Sequence, residues 1–394
     1  METVKSVVVV GAGPVGLMVA LGLARKGIDV TVLEAEKSSS EAPRAAVYYP
    51  VSLDVLESLG LFDDIKAAGY TSTEFQFRVP EKKTVISLDS SVLNGAVKYP
   101  YNLHLGQHAL SVIILEHLAR LPNVDIRWNN RVVDIQQDGK QVSVEIETAN
   151  GRIRLLTEWL VGTDGGRSTV RTLLGISFEG HTWPDRFVAT NVRYDFEKYG
   201  YAPINQVADP VNWAVIARLG QENLWRLTYG EDPNLSEEEC LRRIPEHYAA
   251  ILPDPRDFEI VAASPYRIHE RCAVTFRAGH VLLAGDAAHV CNPCGGMGLT
   301  TGIIDAAVLC DALSAVISGT GSETLLDFYA AERRRVFLEV TTAIASNFKR
   351  ALSERDPQRR SDDENYMRHS SLTSEAGRSA MMYPAAVLGA PLPL

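Results

Sequence analysis

The sequence has few cysteines and no excess of positive charge. Its 394 residues include only five cysteines, an odd number, beside 46% hydrophobic residues, which excludes a small fold held together by disulfides. Lysine and arginine total 39 against 49 aspartates and glutamates, a formal net charge of -10 at pH 7. This balance excludes a general nucleic-acid or anionic-membrane surface. We therefore expect no nucleic-acid partner and a reduced, cytoplasmic location.

Long uninterrupted apolar runs are also missing. Residues 7–24 are almost uncharged, but three glycines and a proline interrupt them, and their length lies at the lower limit for a membrane-spanning helix. Acidic Glu2 precedes the run and no basic segment does, unlike in a signal peptide. We expect no membrane span.

The same run reads as a strand, a tight turn and a helix, and a second β-branched strand ends at Glu34. In a dinucleotide-binding unit Gly11 permits the turn, Gly13 leaves room for a pyrophosphate, and Gly16 lets the helix pack closely. Free amides at the start of the helix favour phosphate, and Glu34 is placed to bind ribose hydroxyls. The predicted dinucleotide site comprises Gly11, Gly13, Pro14, Val15, Gly16, Glu34 and Ala35.

Two later strands also end in an aspartate. Leu160 to Gly162 lead into Asp164-Gly165, and Val281 to Ala284 lead into Gly285-Asp286. An aspartate at a strand end can hydrogen-bond a polyol chain, although Asp-Gly turns are common without any ligand. After Gly285-Asp286 a glycine-rich loop precedes a long helix predicted from about Thr301, and a helix N-terminus favours an electron-rich group.

Other candidate residues are less certain from the residues alone. Arg44 follows a polar loop and Gln107 opens a helix, so each is either a cofactor contact or an ordinary surface or helix-start residue. Residues 178–265 are β-rich and aromatic, and most of their aromatic side chains are expected in the core. Arg218 and Tyr229 are candidates for a face toward a ring-shaped ligand.

In this order and at these separations, the three motifs resemble the FAD-dependent aromatic hydroxylases, single-component monooxygenases similar to para-hydroxybenzoate hydroxylase. The resemblance covers about residues 4–345. It implies an α/β fold with a discontinuous Rossmann-like FAD-binding domain, a β-sheet substrate domain and C-terminal helices. The expected division is 1–75, 101–177 and 266–350 for the FAD-binding domain, 76–100 and 178–265 for the substrate domain, and a tail at 351–394.

The resemblance also implies the chemistry. FAD is reduced by NADH or NADPH, reacts with dioxygen to a flavin hydroperoxide, and hydroxylates a small electron-rich substrate of the phenol or hydroxypyridine type. The carbonyl of Pro293 is expected to orient the substrate ring, with Tyr48, Arg218 and Tyr229 in the pocket. Thr300 stands where many relatives have asparagine. The further cofactor contacts implied are Arg44, Gln107, Asp164, Gly285, Asp286, Pro293, Gly296, Gly298, Leu299 and Thr300.

Alternatives remain open at this level. The same fold serves flavin halogenases, prenyl-chain reductases and non-catalytic FAD-binding redox modules. Halogenases carry a Trp-x-Trp-x-x-Pro segment, and no such tryptophan pair occurs in this sequence. His289, Cys291 and Cys294 have the spacing of a zinc or dithiol site, but no fourth ligand cluster accompanies them, so we expect no metal. The oligomeric state is open, with a homodimer among the alternatives.

Overall fold

The structure is a computed structural model that describes residues 2–3, 6–40, 42–139, 141–221 and 223–393. The predicted segments 1–75, 101–177, 178–265 and 351–394 therefore each include residues that lie outside the described ones.

The described residues form 21 strands and 12 α-helices. The strands are β1 (Glu2–Thr3), β2 (Val7–Val10), β3 (Val30–Leu33), β4 (Val47–Tyr48), β5 (Tyr70–Ser72), β6 (Glu74–Val79), β7 (Thr84–Asp89), β8 (Asn102–His104), β9 (Val124–Arg127), β10 (Arg131–Gln137), β11 (Val142–Thr148), β12 (Gly151–Thr157), β13 (Trp159–Gly162), β14 (Phe178–Arg193), β15 (Ile204–Val207), β16 (Ala214–Arg218), β17 (Leu224–Glu231), β18 (Glu259–Ala273), β19 (Arg277–Ala278), β20 (Val281–Leu283) and β21 (His289–Val290). The helices are α1 (Pro14–Arg25), α2 (Pro50–Ser58), α3 (Phe62–Ala68), α4 (Gln107–Leu118), α5 (Thr169–Leu173), α6 (Glu237–Arg242), α7 (Ile244–Ile251), α8 (Met297–Ile317), α9 (Thr324–Val336), α10 (Thr342–Ser353), α11 (Pro357–Leu372) and α12 (Ser374–Met381).

A six-stranded sheet places the three predicted motifs together. Its order is β19-β20-β13-β2-β3-β9, and all neighbours except β19 and β20 are parallel. Val9 lies opposite Val161, which lies opposite Leu282, so β2, β13 and β20 end at the same edge. The strands are fully buried, as expected for a parallel sheet covered on both faces. The glycine turn, the Asp-Gly turn and the Gly-Asp turn therefore share one edge.

An eight-stranded sheet forms the second large layer, in the order β21-β18-β14-β17-β16-β15-β6-β7. It includes the hairpin of β6 and β7, in which Phe75 pairs with Leu88. Helices α6 and α7 cover one face, which we call the outer face, and contribute Cys240 and Tyr248 to its apolar cluster. The opposite, inner face contacts the loop after β21 and helix α10 through an apolar cluster that contains Phe187, Cys294 and Leu352.

Several predicted boundaries shift in the structure. Helix α8 starts at Met297, four residues before the predicted start. Later in the chain, a π-helical segment at Phe337–Thr341 joins α9 to α10. Strand β18 runs without a break across the predicted domain boundary at 265. Pairing along β14 keeps this strand continuous, a constraint that sequence periodicity does not carry.

Residues of the C-terminal segment pack against both sheets' layers. Helix α11 contacts β7, and Met367 packs on the cluster around Phe77. Val387 then joins a cluster with Met297 and Ile304 of α8. In the described residues, α8 is the one helix long and apolar enough to cross a membrane, but 61% of its apolar stretch is buried inside the fold.

Candidate flavin and substrate site

The glycine turn after β2 is fitted to its surroundings. Gly11 has φ +106°, and a Cβ there would lie 2.7 Å from the Thr163 carbonyl oxygen. A Cβ on Gly16 would lie 2.1 Å from the Gly11 carbonyl oxygen, whereas one on Gly13 would meet nothing within 4 Å. Gly11 and Gly16 are therefore required by packing within the protein. Gly13 borders open space at the start of α1, where a phosphate would fit.

Glu34 is fixed beside this turn. One carboxylate oxygen, Oε2, accepts a hydrogen bond from the Ala12 amide at 2.7 Å, and Oε1 accepts one from the Glu36 amide at 2.9 Å. Ala35 lies between Glu34 and the second donor. Each carboxylate oxygen can accept more than one hydrogen bond, so the group retains capacity for ribose hydroxyls.

Asp164 caps helix α5 in the structure. Its carboxylate accepts hydrogen bonds from the Ser168 hydroxyl at 2.5 Å and from the amides of Thr169 and Val170 at 2.6 and 3.1 Å. Burial raises the pKa of Asp164 above its usual range. From the same segment, Arg171 donates to the Ala287 carbonyl at 2.7 Å. These bonds connect the Asp-Gly turn with the Gly-Asp turn, and direct contact of Asp164 with a cofactor stays a prediction.

Asp286 has a different environment. Its side chain makes no hydrogen bond or ion pair with any residue that the structure describes, and more than a third of its surface is exposed. Surrounding protein nevertheless raises the pKa of its carboxyl group, opposed by the charges of His289 and Arg44. Both observations fit a carboxylate that lines an open cleft within the fold. Gly285 has φ +59° and packs against Val15 of α1, so the cleft begins at the glycine turn.

Two arginines face this cleft without a carboxylate partner among the described residues. Arg44 is exposed, and its carbonyl oxygen accepts a hydrogen bond from Arg226 Nη1. Arg226 also donates from Nε to Asn191 Oδ1 at 2.8 Å, and burial together with the Arg44 charge lowers the Arg226 pKa to about 10. The backbone amide of Gln107 donates a hydrogen bond to the Ala45 carbonyl at 3.0 Å, which fixes the loop that carries Arg44. Two arginines in a cleft that holds a single carboxylate leave an excess of positive charge, which favours an anionic ligand.

The glycine-rich loop leads into α8. Its helix cap, Gly296, has φ +65°, and a Cβ there would lie 2.8 Å from the Tyr49 hydroxyl oxygen, which donates to the Gly295 carbonyl at 3.0 Å. The Gly296 amide donates to the Pro293 carbonyl at 2.9 Å, and the Thr300 hydroxyl donates to the Gly296 carbonyl at 3.0 Å. No side chain caps the helix, so the amides of its first turn, in Gly298 and Leu299 among others, remain available for a ligand.

The cysteines of this loop do not have the properties of metal ligands. Burial raises the pKa of Cys294 to about 12 and that of Cys291 still further, so both thiols are protonated near neutral pH. Metal binding and disulfide exchange require the thiolate. Across the described ranges, no group of three or more His, Cys, Asp or Glu side chains could hold a metal ion.

The three predicted pocket side chains are not brought together. Tyr48 is 1% exposed in the core around the six-stranded sheet. Tyr229 lies on the outer face of the eight-stranded sheet, where it stacks on His247 with ring centroids 4.3 Å apart. Arg218 is held at the sheet edge by an ion pair with Glu197 and packs on the ring of Tyr70. Side chains alternate between the two faces of a strand, and this alternation turns Tyr229 away from the cleft.

Sequence reasoning missed the inner-face residues of the same strands. Arg226 and Thr228 alternate with Trp225, Leu227 and Tyr229, so the polar positions of β17 face the cleft and the apolar ones face α7. That alternation was visible in the sequence as a period of two.

A buried charged network lies beneath the Gly-Asp turn. Asp305 of α8 accepts hydrogen bonds from Arg333 Nε at 2.8 Å, from His289 Nε2 at 2.6 Å and from the Gly285 amide at 3.2 Å. The three side chains are at most 1% exposed. Arg333 also donates to the Val387 carbonyl at 2.7 Å. The network therefore connects the turn that carries Asp286 with the C-terminal segment.

A parallel sheet has a glycine turn at its edge, beside a cleft whose two arginines have no carboxylate partner among the described residues and which also holds a carboxylate. This arrangement defines a dinucleotide-binding flavoprotein fold with an attached substrate sheet. The sequence profile of the family described as "FAD binding domain" matches residues 4–343. The chain is 47% identical to para-nitrophenol 4-monooxygenase of Pseudomonas sp. (strain WBC-3) over 92% of this chain and 91% of the relative. It is 43% identical to 6-hydroxy-3-succinoylpyridine 3-monooxygenase of Pseudomonas putida (strain DSM 28022 / S16), over 98% of each chain.

A solved structure agrees with these relatives. The crystal structure of p-nitrophenol 4-monooxygenase from Pseudomonas putida DLL-E4 matches with a TM-score of 0.96 and 43% identity, covering 99% of both chains. The chain therefore belongs to the FAD binding domain family of aromatic hydroxylases. It is an FAD-dependent monooxygenase that acts on electron-rich aromatic or heteroaromatic rings, which confirms the predicted family, fold class and reaction.

Proposed function

We propose that this enzyme uses NADH or NADPH to reduce bound FAD and places one oxygen atom of dioxygen on the ring carbon para to a hydroxyl group. The second oxygen atom leaves as water, and a substituent on the attacked carbon departs with its bonding electron pair, so that the ring becomes a quinone. The observation that carries the proposal is the cleft between the two sheets. It combines a dinucleotide turn with a carboxylate and two arginines that have no ion-pair partner among the described residues. The names of the two relatives support the ring position. Each names attack at the substituted carbon opposite the hydroxyl group, position 4 of a nitrophenol and position 3 of a 6-hydroxypyridine.

The residues present fit FAD. Gly13, Pro14 and Val15 would offer space and the N-terminus of α1 to the pyrophosphate, with Arg44 as its counter-charge. Glu34, next to Ala35, would bind the adenosine ribose, and Asp286 after Gly285 would accept hydrogen bonds from the ribitol hydroxyls. Gln107 would contact the cofactor from the start of α4.

The start of α8 suits the flavin ring. The loop from Pro293 to Gly296 and the free amides of Gly298 and Leu299 present partial positive charge to the electron-rich edge of a reduced ring. Thr300 holds the first turn through its bond to the Gly296 carbonyl. When bound, FAD supplies the two-electron chemistry that activates dioxygen for attack on the ring. Among the described residues, the Pro293 carbonyl accepts only the Gly296 amide. It therefore keeps a free lone pair for orienting a substrate hydroxyl that still carries its proton.

The substrate must be electron-rich to be oxygenated, and a phenolate is richer than a phenol. On the inner face Arg226 presents a guanidinium without an anionic partner among the described residues. A nearby cation lowers the pKa of a bound hydroxyl group and favours the phenolate. Apolar side chains around Phe187 and Cys294 exclude water from the same region, which strengthens this interaction.

Turnover measurements test the proposal. Purified holoenzyme should oxidise NADH or NADPH faster when a para-substituted phenol or hydroxypyridine is added, and the product should contain one atom of ¹⁸O from ¹⁸O₂. A matched reaction without the aromatic compound gives the background rate. If no member of a broad panel both stimulates oxidation and acquires labelled oxygen, the para-hydroxylation proposal is wrong.

A further inference from the structure

The inner face of the eight-stranded sheet carries a transverse row of side chains set by strand register. Thr228 of β17 lies opposite Val215 of β16, which lies opposite Gln206 of β15. Directly opposed residues on antiparallel strands point to the same face, so the three side chains stand side by side. In the other direction the row continues from Thr228 to Ala189 on β14.

The two polar members of this row have unmet hydrogen-bonding capacity. Gln206 is 4% exposed, its Oε1 atom is enclosed, and its amide makes no hydrogen bond to any described residue. Thr228 is 8% exposed, and its hydroxyl has no partner in the described part of the chain, although its oxygen is not enclosed as the Gln206 oxygen is. An unpaired buried polar group destabilises a fold, so the enclosed Gln206 oxygen needs an explanation. Together with an unbonded hydroxyl in the same row, it points to a ligand that supplies the missing partners.

The residue between them is apolar and packs against the cluster that contains Phe187 and Cys294. Val215 is only half-buried, although it lies in the middle of the sheet between two buried neighbours in the row. Cys294 and Phe348 of the apolar cluster that includes Phe187 lie over the same face, next to the loop of Pro293. Two strand spacings, roughly 10 Å, separate the backbones of Thr228 and Gln206. After allowing for the two side chains, this leaves the length of one benzene ring with polar groups at opposite ends.

We propose that the substrate ring lies over Val215, with one of its two para-related polar substituents bound by Thr228 and the other by Gln206. This inference rests on the proposed function and names its substrate class: a phenol or hydroxypyridine with a second hydrogen-bonding group para to the hydroxyl. Each of the two residues is then a specificity-determining contact for one end of the ring.

Near-isosteric apolar variants test the assignment, in the holoenzyme. Thr228→Val and Gln206→Met each remove hydrogen-bonding atoms and little volume. Thr190→Val is the matched control, because Thr190 lies on the outer face of the same sheet, where its hydroxyl is bonded to the Leu227 carbonyl and the Tyr248 hydroxyl. Dissociation constants for 4-nitrophenol, which is polar at both ends, and for 4-methylphenol, polar at one end, are measured from the change in flavin absorbance.

Both inner-face variants should bind 4-nitrophenol roughly tenfold more weakly, the effect of one lost hydrogen bond. Only one of them should weaken 4-methylphenol, because that compound has a single polar end. Their unfolding midpoints should stay level or rise, since each replaces an unpaired polar group, whereas Thr190→Val should lower the midpoint and leave both dissociation constants unchanged.

Affinities that stay within about twofold of the wild type in both variants would overturn the assignment. Equal weakening of both phenols by both variants would also overturn it, because the two residues would not then contact opposite ends. The proposed function has a separate test, because it fails if the wild-type enzyme oxygenates no aromatic compound. If the wild type oxygenates phenols and both variants keep the wild-type affinities, only the ring placement is contradicted.

Discussion

Replacing Arg333 with methionine should destabilise the protein strongly. Arg333 is fully buried, and it pairs with Asp305 at 2.8 Å and with the Val387 carbonyl at 2.7 Å. Methionine keeps much of the side-chain length but leaves the Asp305 carboxylate buried with His289 and one amide as partners. Removing one partner of a buried ion pair costs about 3–5 kcal/mol, because the remaining charge stays out of water without full compensation.

The free energy of unfolding from guanidinium chloride titration measures this loss. Arg335→Met is the control on the same stretch of helix, where Arg335 pairs with Glu332 and Glu339 near the surface and little loss is expected. The double variant Arg333→Met with Asp305→Leu should recover part of the loss, because no unpaired charge remains. The free energy of unfolding of Arg333→Met decides the matter. If it lies within about 1 kcal/mol of the wild-type value, or equals that of Arg335→Met, the network does not have the energetic role that its burial indicates.

Three more predictions concern the cofactor and pH. Asp286→Ala should lose most bound FAD, measured as the flavin-to-protein ratio after purification, and full occupancy would contradict its assigned role. Arg44→Ala should weaken FAD binding, and Arg44→Lys should restore it only partly, because lysine lacks the planar guanidinium group. Titration of the apoprotein with FAD measures both affinities, and wild-type affinity in both variants would contradict the prediction. Burial alone would raise the pKa of Asp305, but His289 and Arg333 hold this pKa below its usual range. Asp305 therefore stabilises the fold above its unfolded pKa of about 4. This contribution disappears as the pH falls through the lower pKa of the folded state. The unfolding free energy of Asp305→Asn should therefore fall less steeply below about pH 4 than that of wild type; parallel acid profiles would refute this.

Local sequence was sufficient to place the dinucleotide edge. Gly11, Glu34, Asp164 and Asp286 each follow a buried strand, and the structure aligns those strands in one parallel sheet. Parallel strands carry their ligand-binding turns at their carboxyl ends, so knowing the strand ends was enough. The hairpin of β6 and β7 was predictable for a similar reason, because its alternating residues lie close together in the chain.

The residues of the inner face were not predictable in the same way. Tyr229 and Arg226 lie three residues apart on one strand, and the choice between them depends on which face of the sheet meets the loop around Cys294. That loop comes from a segment about 65 residues later, and its docking is a tertiary event. Large aromatic and charged side chains attract attention in a sequence, whereas Thr228 and Gln206 become notable only when their missing partners are visible.

By itself, then, the sequence determined the order of the elements, the dinucleotide turn and the strand-end carboxylates, because those depend on backbone conformation and on spacing within a few residues. Only the tertiary structure decided that Arg171 bonds the Ala287 carbonyl beside the Gly-Asp turn, that Asp305 and Arg333 connect the Gly285 turn to the C-terminal segment, and that Val215 is only half-buried. These facts depend on which side chains from distant segments meet, and strand register and burial fix those meetings.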